Sequence, residues 1–282
     1  LGLVTPLYSL DPDMGAQLTR LSKRRGLNEL LRYQDVRGME RHREAGAKWA
    51  RLYGFEAAAE DIIVTAGAQH ALTCCLSALF TPGDRLAVEA VTYPGFKTLA
   101  TSLGIRLTPI ALDEEGMIPE DLEIACRRDG LKGLYVMPEM QNPANTRMST
   151  KRRQQIAEIC RQHDLTILED DAYALTSNDM DLPMRTYAPE RTVGIAGLSK
   201  VLGAGLRTAF MIAPGQFRSA LTSAVLNTIW IAPPLSGELA CMWIEDGTAQ
   251  EVLAKKQDEA AKRRQLAMRM FADFEFVCPE VS

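Results

Sequence analysis

Several signatures are missing from this sequence, and each absence excludes a class of protein. It contains three histidines and six cysteines without a Cys-x-x-Cys pair, so it indicates neither a zinc site nor a disulfide framework. No apolar run approaches the ~20 residues of a membrane-spanning helix, and the first residues do not resemble a signal peptide. The formal charge is −4 without a long basic run, which gives no indication of nucleic-acid binding. We therefore expect a cytoplasmic protein with reduced thiols and no membrane partner.

The length and composition are those of an ordinary globular protein. Of 282 residues, 46% are hydrophobic and 24% charged, which suits one large domain or one and a half. The sequence opens on Leu1 rather than Met and stops at Ser282 in the middle of a pattern, so we expect it to be part of a longer polypeptide. We predict an N-terminal arm at 1–35 and a large domain at 36–245. An interdomain helix and the beginning of a truncated C-terminal small domain are predicted at 246–282.

Apolar runs and amphipathic stretches alternate along most of the chain. Near-continuous apolar strands separated by helices predict an α/β fold, in which helices cover both faces of a mostly parallel mixed sheet. The predicted strands are residues 61–65, 85–89, 105–111, 133–137, 166–169, 192–196, 208–213 and 274–278, and the predicted helices are 12–31, 39–52, 71–80, 94–103, 119–127, 150–163 and 249–271. Ligands of such sheets bind beyond the carboxyl ends of the strands, so the residues that follow each strand are the site candidates.

Lys200 follows the predicted strand 192–196, within Ile195-Ala-Gly-Leu-Ser-Lys-Val-Leu-Gly-Ala-Gly-Leu-Arg207. Burial at the end of such a strand favours a neutral, nucleophilic amine. Arg207, seven residues further on, offers a planar fork suited to a phosphate. By itself, this pair is more often a surface lysine and arginine in a loop. Whether it belongs to a site therefore depends on the residues at the other strand ends.

Three other strand ends carry residues suited to an anionic, ring-shaped ligand. Gly67-Ala68-Gln69 opens a helix, whose free backbone N–H groups and dipole favour an anion. Tyr93 can lie flat on a ring, and Asn142, in an Asn-Pro turn, can donate to a phenolate oxygen. Each also has an ordinary interpretation, as a strand–helix turn, a packing tyrosine and a common Asn-Pro turn.

Three consecutive carboxylates, Glu169, Asp170 and Asp171, lie at the end of the strand 166–169. Burying them costs free energy unless a cation or a protonated nitrogen is near, and a magnesium site is one possible explanation. A single ligand suits all of these strand ends, namely an aromatic cation with a phosphate, a phenolate oxygen and an aldehyde that condenses with Lys200. That ligand is pyridoxal 5′-phosphate (PLP).

Six motifs, in this order, resemble those of the class I and II aminotransferases, which are PLP enzymes of fold type I. They are Tyr33-Gln-Asp-Val-Arg-Gly38, Val64-Thr-Ala-Gly-Ala-Gln-His-Ala-Leu72, Thr92-Tyr-Pro-Gly-Phe96, Gln141-Asn-Pro143, Glu169-Asp-Asp-Ala-Tyr173 and Ser199-Lys-Val-Leu-Gly-Ala-Gly-Leu-Arg207. The sequence looks most like the branch shared by 2-aminoadipate-like aminotransferases and the effector domains of MocR-type regulators. The resemblance implies the α/β large domain of fold type I, followed by a smaller α+β domain.

The resemblance also implies roles for individual residues around the cofactor ring. Lys200 is the Schiff-base lysine and, once released by the substrate, the base that moves the proton from Cα. Asp170 pairs with the pyridine nitrogen and keeps it protonated, so that the ring can accept electrons. Tyr173 and Asn142 hold the ring oxygen O3′, and Tyr93 stacks on the ring.

The cofactor phosphate is expected at the start of the helix that follows the first strand. The residues implied in holding it are Gly67, Ala68, Gln69, Ser199 and Arg207. Tyr33 is implied to reach the phosphate of the neighbouring subunit, which makes a homodimer a functional requirement.

The sequence departs from the family pattern at a few positions. Gly197 stands where Thr or Ser is frequent, so one phosphate contact is lost or supplied elsewhere. Asn145 replaces the usual glycine after the Asn-Pro turn and tolerates the same left-handed conformation. His42 stands where an apolar residue is usual. The arginine that binds the substrate carboxylate in this family lies beyond residue 282.

The activity implied is an aminotransferase that exchanges the amino group of an α-amino acid with a 2-oxo acid. Two alternatives stay open. One is the PLP-binding effector domain of a MocR-type transcription regulator, and the other is a PLP lyase or decarboxylase on the same scaffold. The sequence does not indicate which amino acid or 2-oxo acid is used.

Overall fold

The computed structural model describes residues 7–177 and 179–274, whose main feature is a mixed β-sheet. The described strands are β1 Ile62–Thr65, β2 Arg85–Glu89, β3 Arg106–Ile110, β4 Leu112–Asp113, β5 Gly116–Met117, β6 Gly133–Val136, β7 Thr166–Glu169, β8 Thr192–Gly197 and β9 Ala209–Ile212. β4 and β5 pair with each other, and the others form one sheet in the order β1-β9-β8-β7-β6-β2-β3. The strands from β8 to β3 pair in parallel, whereas β9 is antiparallel to both of its neighbours. The predicted mostly parallel mixed sheet is confirmed.

The helices begin and end at residues whose chemistry explains those bounds. Pro94, Pro119 and Pro234 each open a helix, where the missing N–H of proline would have had no partner. The Ser149 hydroxyl caps another helix by accepting from Arg152 N. The described helices are α1 Met14–Ser22, α2 Glu40–Leu52, α3 Ala68–Leu79, α4 Pro94–Ser102, α5 Pro119–Asp129, α6 Thr150–Gln162, α7 Met184–Tyr187, α8 Gly215–Ile229, α9 Pro234–Glu245 and α10 Thr248–Met270.

The structure differs from the sequence prediction near the start of the described chain. The helical stretch predicted over 12–31 is interrupted, because α1 ends at Ser22 and a 3₁₀ helix covers Leu27–Leu31. Gly26 lies between them at φ +78°, a left-handed conformation through which an α-helix does not continue. The strand predicted over 274–278 lies outside the described residues, apart from Phe274. Across the two described ranges, no helix is both long and apolar enough to span a membrane.

Successive strand residues face opposite helix layers. Ile62 and Val64 pack in a cluster with residues of α2, α9 and α10, whereas Ile63, between them, packs with α3, α4 and α8. A third cluster joins β6 and β7 to α5 and α6. This alternation is the period-two pattern of a strand with both faces buried. Because the strands from β8 to β3 pair in parallel, their carboxyl ends lie at one edge of the sheet, between the helix layers.

Gly46 lets α2 approach the sheet closely, and replacing it is expected to destabilise the fold. A Cβ at this position would lie 2.5 Å from Phe210 Cδ1 and 2.9 Å from Ile62 Cγ2. Alanine favours a helix over glycine by about 1 kcal/mol, but overpacking a core costs about 1–3 kcal/mol and should prevail. We expect Gly46→Ala to lower the free energy of unfolding in urea. At Gly215, a Cβ would meet no atom within 4 Å, so Gly215→Ala should be neutral or slightly stabilising. Equal stability of the two variants would contradict this packing argument.

Candidate active site

Lys200 lies just beyond β8, at the edge where the parallel strands end. Its Nζ is 4.7 Å from the centre of the Tyr173 ring, in a cation–π arrangement, and its charge acts on Asp170. The structure therefore brings together the three residues predicted to be catalytic, from the loops that follow β7 and β8. Ser199 precedes Lys200 and is half-buried, and its phosphate contact stays a prediction.

Within the described part of the chain, one carboxylate oxygen of Asp170 has no hydrogen-bond partner. The residue is 5% exposed, and its N–H donates to Val136 O at 3.1 Å. The Tyr135 hydroxyl donates to Oδ2 at 3.1 Å, whereas Oδ1 is buried and has no hydrogen bond from any of the described residues. Burial raises the pKa of Asp170 to about 6, against the hydrogen bond from Tyr135 and the positive charge of Lys200, which lower it. Such an oxygen is suited to a protonated nitrogen of a ligand.

The neighbouring carboxylates of the acidic triplet point elsewhere. Glu169 accepts hydrogen bonds of 2.7 and 3.0 Å from two backbone amides of α7. Asp171 accepts from Glu139 N, at 3.0 Å to each of its oxygens. In the part of the chain that the structure describes, no group of three His, Cys, Asp or Glu residues is placed to hold a metal ion. This divergence disfavours the magnesium interpretation, because a shared ion needs converging oxygens.

The turn between β1 and α3 forms a cradle closed by Arg207. Gly67 has φ +91°, and a Cβ there would lie 2.4 Å from Arg207 Nη2. The guanidinium donates to Ala66 O at 3.4 Å and Ala204 O at 3.1 Å, so it lies against the N-terminal end of α3. Free amides at a helix start, next to an arginine, form an anion site. Ala68 and Gln69, at the start of α3, lie where the phosphate was predicted.

His70 supports this cradle, a role that the sequence did not indicate. Its Nδ1 accepts from Ala66 N at 3.1 Å, and its Nε2 is 2.7 Å from Thr228 Oγ1. These bonds require a neutral ring with the proton on Nε2. Burial lowers the pKa of His70, which favours that neutral form.

Tyr93 lies over Gly95 beside the cradle. A Cβ at Gly95 would lie 2.3 Å from the hydroxyl end of the Tyr93 ring, so glycine permits this ring position. Gln69 Nε2 donates to Gly95 O at 3.3 Å and ties the cradle to the same loop. Burial raises the pKa of Tyr93, and the negative charge of Asp170 acts in the same direction. The half-buried tyrosine thus neighbours both the phosphate cradle and the carboxylate.

Asn142 lies in the loop that follows β6 and is half-buried. Its neighbour Gln141 anchors that loop, with Nε2 donating to Val91 O at 2.6 Å and to Glu89 Oε2 at 3.2 Å. Asn145 adopts φ +61°, so the expected left-handed conformation is confirmed. The hydrogen bond from Asn142 to a ring oxygen stays a prediction.

Tyr33 lies outside this group of residues within one chain. Its side chain is 81% exposed, and its ring is 5.7 Å from that of Trp230. Trp230 itself has φ +69° and ends α8. The predicted contact of Tyr33 with a phosphate would therefore have to be made in another subunit.

Comparisons with known proteins find both similar sequences and similar folds. The sequence model of the family described as "Aminotransferase class I and II" matches residues 15–280. The HTH-type transcriptional regulator YdeF of Bacillus subtilis, itself uncharacterized, is 33% identical over 82% of this chain and 50% of its own length. Aromatic-amino-acid aminotransferase 1 of Thermococcus litoralis is 28% identical over 87% of this chain and 61% of its own. The structure of an archaeal alanine:glyoxylate aminotransferase superposes with a TM-score of 0.88 at 25% identity, covering 97% of this chain and 70% of that one. The chain thus spans about half the length of the curated regulators that it matches.

Proposed function

The chain belongs to the aminotransferase class I and II family, and we propose that it exchanges the amino group of an α-amino acid with a 2-oxo acid. The observation that carries this proposal is the buried, unpartnered Oδ1 of Asp170 next to Lys200. The cofactor of this family is pyridoxal 5′-phosphate. The residues present fit this group, because a buried carboxylate suits its ring nitrogen and the Gly67–Arg207 cradle suits its phosphate.

Each residue of the site has a distinct task in this proposal. When bound, the cofactor supplies a protonated ring that accepts electrons from the substrate Cα. Lys200 Nζ would hold the cofactor at its aldehyde carbon and would serve as the base that moves the Cα proton of the substrate. Asp170 holds the proton on the ring nitrogen, and Tyr173 and Asn142 hydrogen-bond the ring oxygen O3′. Residues holding the phosphate are Gly67, Ala68, Gln69, Ser199 and Arg207.

A homodimer completes the site in this proposal. Tyr33 and Trp230 form an aromatic pair, and both rings are exposed in the single chain. Exposed large aromatics are enriched where subunits meet. Tyr33 would then reach the phosphate in the neighbouring subunit. We also place the protein in the cytoplasm, since five cysteines of the described residues are free thiols, which suits a reducing compartment.

The test is a PLP titration followed by an assay for amino transfer. The protein should acquire an absorbance band near the violet edge. It should then convert 2-oxoglutarate or pyruvate with one of a panel of donors. The panel contains alanine, kynurenine, 2-aminoadipate and the aromatic amino acids, for which similar proteins are named. A protein that stays colourless and indifferent to PLP would overturn the proposal.

The similar regulators favour a second candidate, an effector domain that binds an amino acid without turning it over. Three of the similar curated proteins are HTH-type transcriptional regulators, and this chain matches about half of each. A violet band that responds to amino acids without product formation would support this candidate, and the full-length sequence would show whether a DNA-binding domain is present. A lyase or decarboxylase would instead form product without a 2-oxo acid.

Gly197 gives a direct test of the phosphate cradle. A Cβ at this position meets only Ala68 Cβ, at 4.0 Å, so a larger side chain fits beside the start of α3. A serine hydroxyl there should hydrogen-bond the anionic phosphate, and bonds to charged groups are worth about 1.5–3 kcal/mol. We expect Gly197→Ser to tighten PLP binding about tenfold, measured as the dissociation constant by absorbance titration. Gly197→Ala fills the same space without the hydroxyl, so equal affinities of the two variants would contradict this prediction.

A further inference from the structure

Tyr135 lies in the middle of β6, where its side chain looks like part of the core. It is fully buried, yet its hydroxyl donates to Asp170 Oδ2 at 3.1 Å, while Oδ1 stays unpartnered. We propose that Tyr135 is a positioning residue for the cofactor ring, because it binds one oxygen of Asp170 and so directs the other at the pyridine nitrogen. This inference rests on the proposed function and adds a residue to its machinery.

The backbone fixes the donor and the acceptor relative to each other. Tyr135 is paired with Leu168 across the parallel strands β6 and β7, and Asp170 follows two residues later. The Asp170 N–H donates to Val136 O at 3.1 Å, which continues the ladder up to the carboxylate. Tyr135 is therefore attached to a strand, and Asp170 is the first residue beyond the paired strand, where its own N–H still bonds to β6.

The Tyr135 ring is also held in place from its face. It stacks on Phe96 with ring centroids 3.7 Å apart and an interplanar angle of 8°. A buried, stacked ring loses its alternative rotamers, so the hydroxyl is directed at Asp170. Holding a functional group through a neighbour whose own side chain is locked is how precise sites are built.

The electrostatics give the hydrogen bond one direction. Burial raises the pKa of Tyr135 well above its usual range, and the charge of Asp170 acts in the same direction. The phenol therefore keeps its proton and donates a hydrogen bond to the carboxylate. Besides Asp170, the titratable groups that act on it are Glu89 and Tyr93. By donating, Tyr135 stabilises the anionic form of Asp170, which is the form that pairs with a protonated ring nitrogen.

The variant Tyr135→Phe distinguishes a purely structural role of Tyr135 from a positioning role. The phenylalanine ring can still stack on Phe96, so we expect a thermal unfolding midpoint close to that of the wild type. The pKa of Asp170 can be measured by NMR in cofactor-free protein labelled with ¹³C-aspartate, where the Asp170 carboxyl signal is the one that disappears in Asp170→Asn. We expect this signal to titrate about one pH unit higher in Tyr135→Phe than in the wild type. The pH midpoint of PLP binding should rise by the same amount, and the affinity for PLP at pH 7 should be about tenfold weaker than that of the wild type. Groups on PLP titrate identically in both proteins, so the difference reports on Asp170.

Tyr187→Phe is the matched control, because it removes a phenol from a different apolar cluster and should leave both pH profiles unchanged. If Tyr135→Phe binds PLP like the wild type, with the same pH midpoint, the inference is overturned while the proposed function stands. If the wild type itself binds no PLP, the proposed function fails and this inference with it. The two failures are thus distinguished by the wild-type titration alone.

Discussion

Replacing Lys200 with alanine is expected to abolish the violet absorbance and to reduce amino transfer by at least about 10³-fold, since a positioned general base alone contributes about 10²–10⁴-fold. The alanine side chain can neither bond to the cofactor aldehyde nor move a proton from the substrate Cα. The neighbouring Tyr173 ring, whose centre is 4.7 Å from this amine, cannot replace it, and Lys256, which donates to Lys200 O at 3.5 Å, is paired with Asp11. PLP should still bind through its phosphate and ring nitrogen, because Arg207 and Asp170 are unchanged.

Two measurements check this prediction. The absorbance spectrum with excess PLP reports the bond to the lysine, and exchange of the Cα proton of a donor amino acid into D₂O reports the proton transfer. Lys255→Ala is the matched control, because Lys255 is exposed on α10 and should behave like the wild type. If Lys200→Ala keeps the violet band or exchanges the Cα proton at the wild-type rate, Lys200 does not have this role.

The order of strands and helices, and most of the site, could be predicted from the sequence. Buried parallel strands are short apolar runs, and the residues that follow them meet at one edge by the geometry of the sheet, so Lys200, Asp170 and Tyr173 could be grouped without coordinates. The left-handed conformation of Asn145 could also be predicted from the residue type. Such features depend on local residue type and on the direction of strands.

Other features depend on long-range contacts, which a sequence does not display. Tyr135 lies within an apolar run and is a core residue by pattern, and only the pairing of β6 with β7 places its hydroxyl against Asp170. His70 meets Thr228, 158 residues away, so nothing local indicated its support of the cradle. His42 is buried against Glu238 of α9, at 3.0 Å, which explains how a polar residue replaces an apolar one there.

Asp170→Asn is expected to change cofactor affinity and protein stability in opposite directions. Leaving one member of a buried charged pair without its partner costs about 3–5 kcal/mol. We therefore expect PLP to bind at least about 10²-fold more weakly to this variant, and amino transfer to fall by a similar or larger factor. Above pH 6, where Asp170 is ionised in the folded protein, the difference in affinity should be full. Below pH 6 it should shrink, because the wild-type carboxyl is then neutral as well.

The stability of the cofactor-free protein should move the other way. Because burial raises the folded pKa of Asp170 from 3.8 to about 6, the folded state holds the proton more tightly than the unfolded state. The stabilisation from this group is fully present below about pH 4 and is lost as the pH rises through 6. At pH 8, Asp170→Asn should therefore exceed the wild type by about 3 kcal/mol in the free energy of unfolding, and at pH 4 most of this difference should disappear.

Urea unfolding at both pH values, alongside PLP titration, measures the two effects on the same samples. Asp258→Asn, at an exposed position of α10, removes a surface carboxylate and should change neither quantity. A variant that loses stability together with affinity would indicate that Asp170 serves the fold. A gain in stability with a loss of cofactor is the result expected of a charge that is buried for function. Among the described residues, the groups that stabilise this charge are Tyr135 and Lys200.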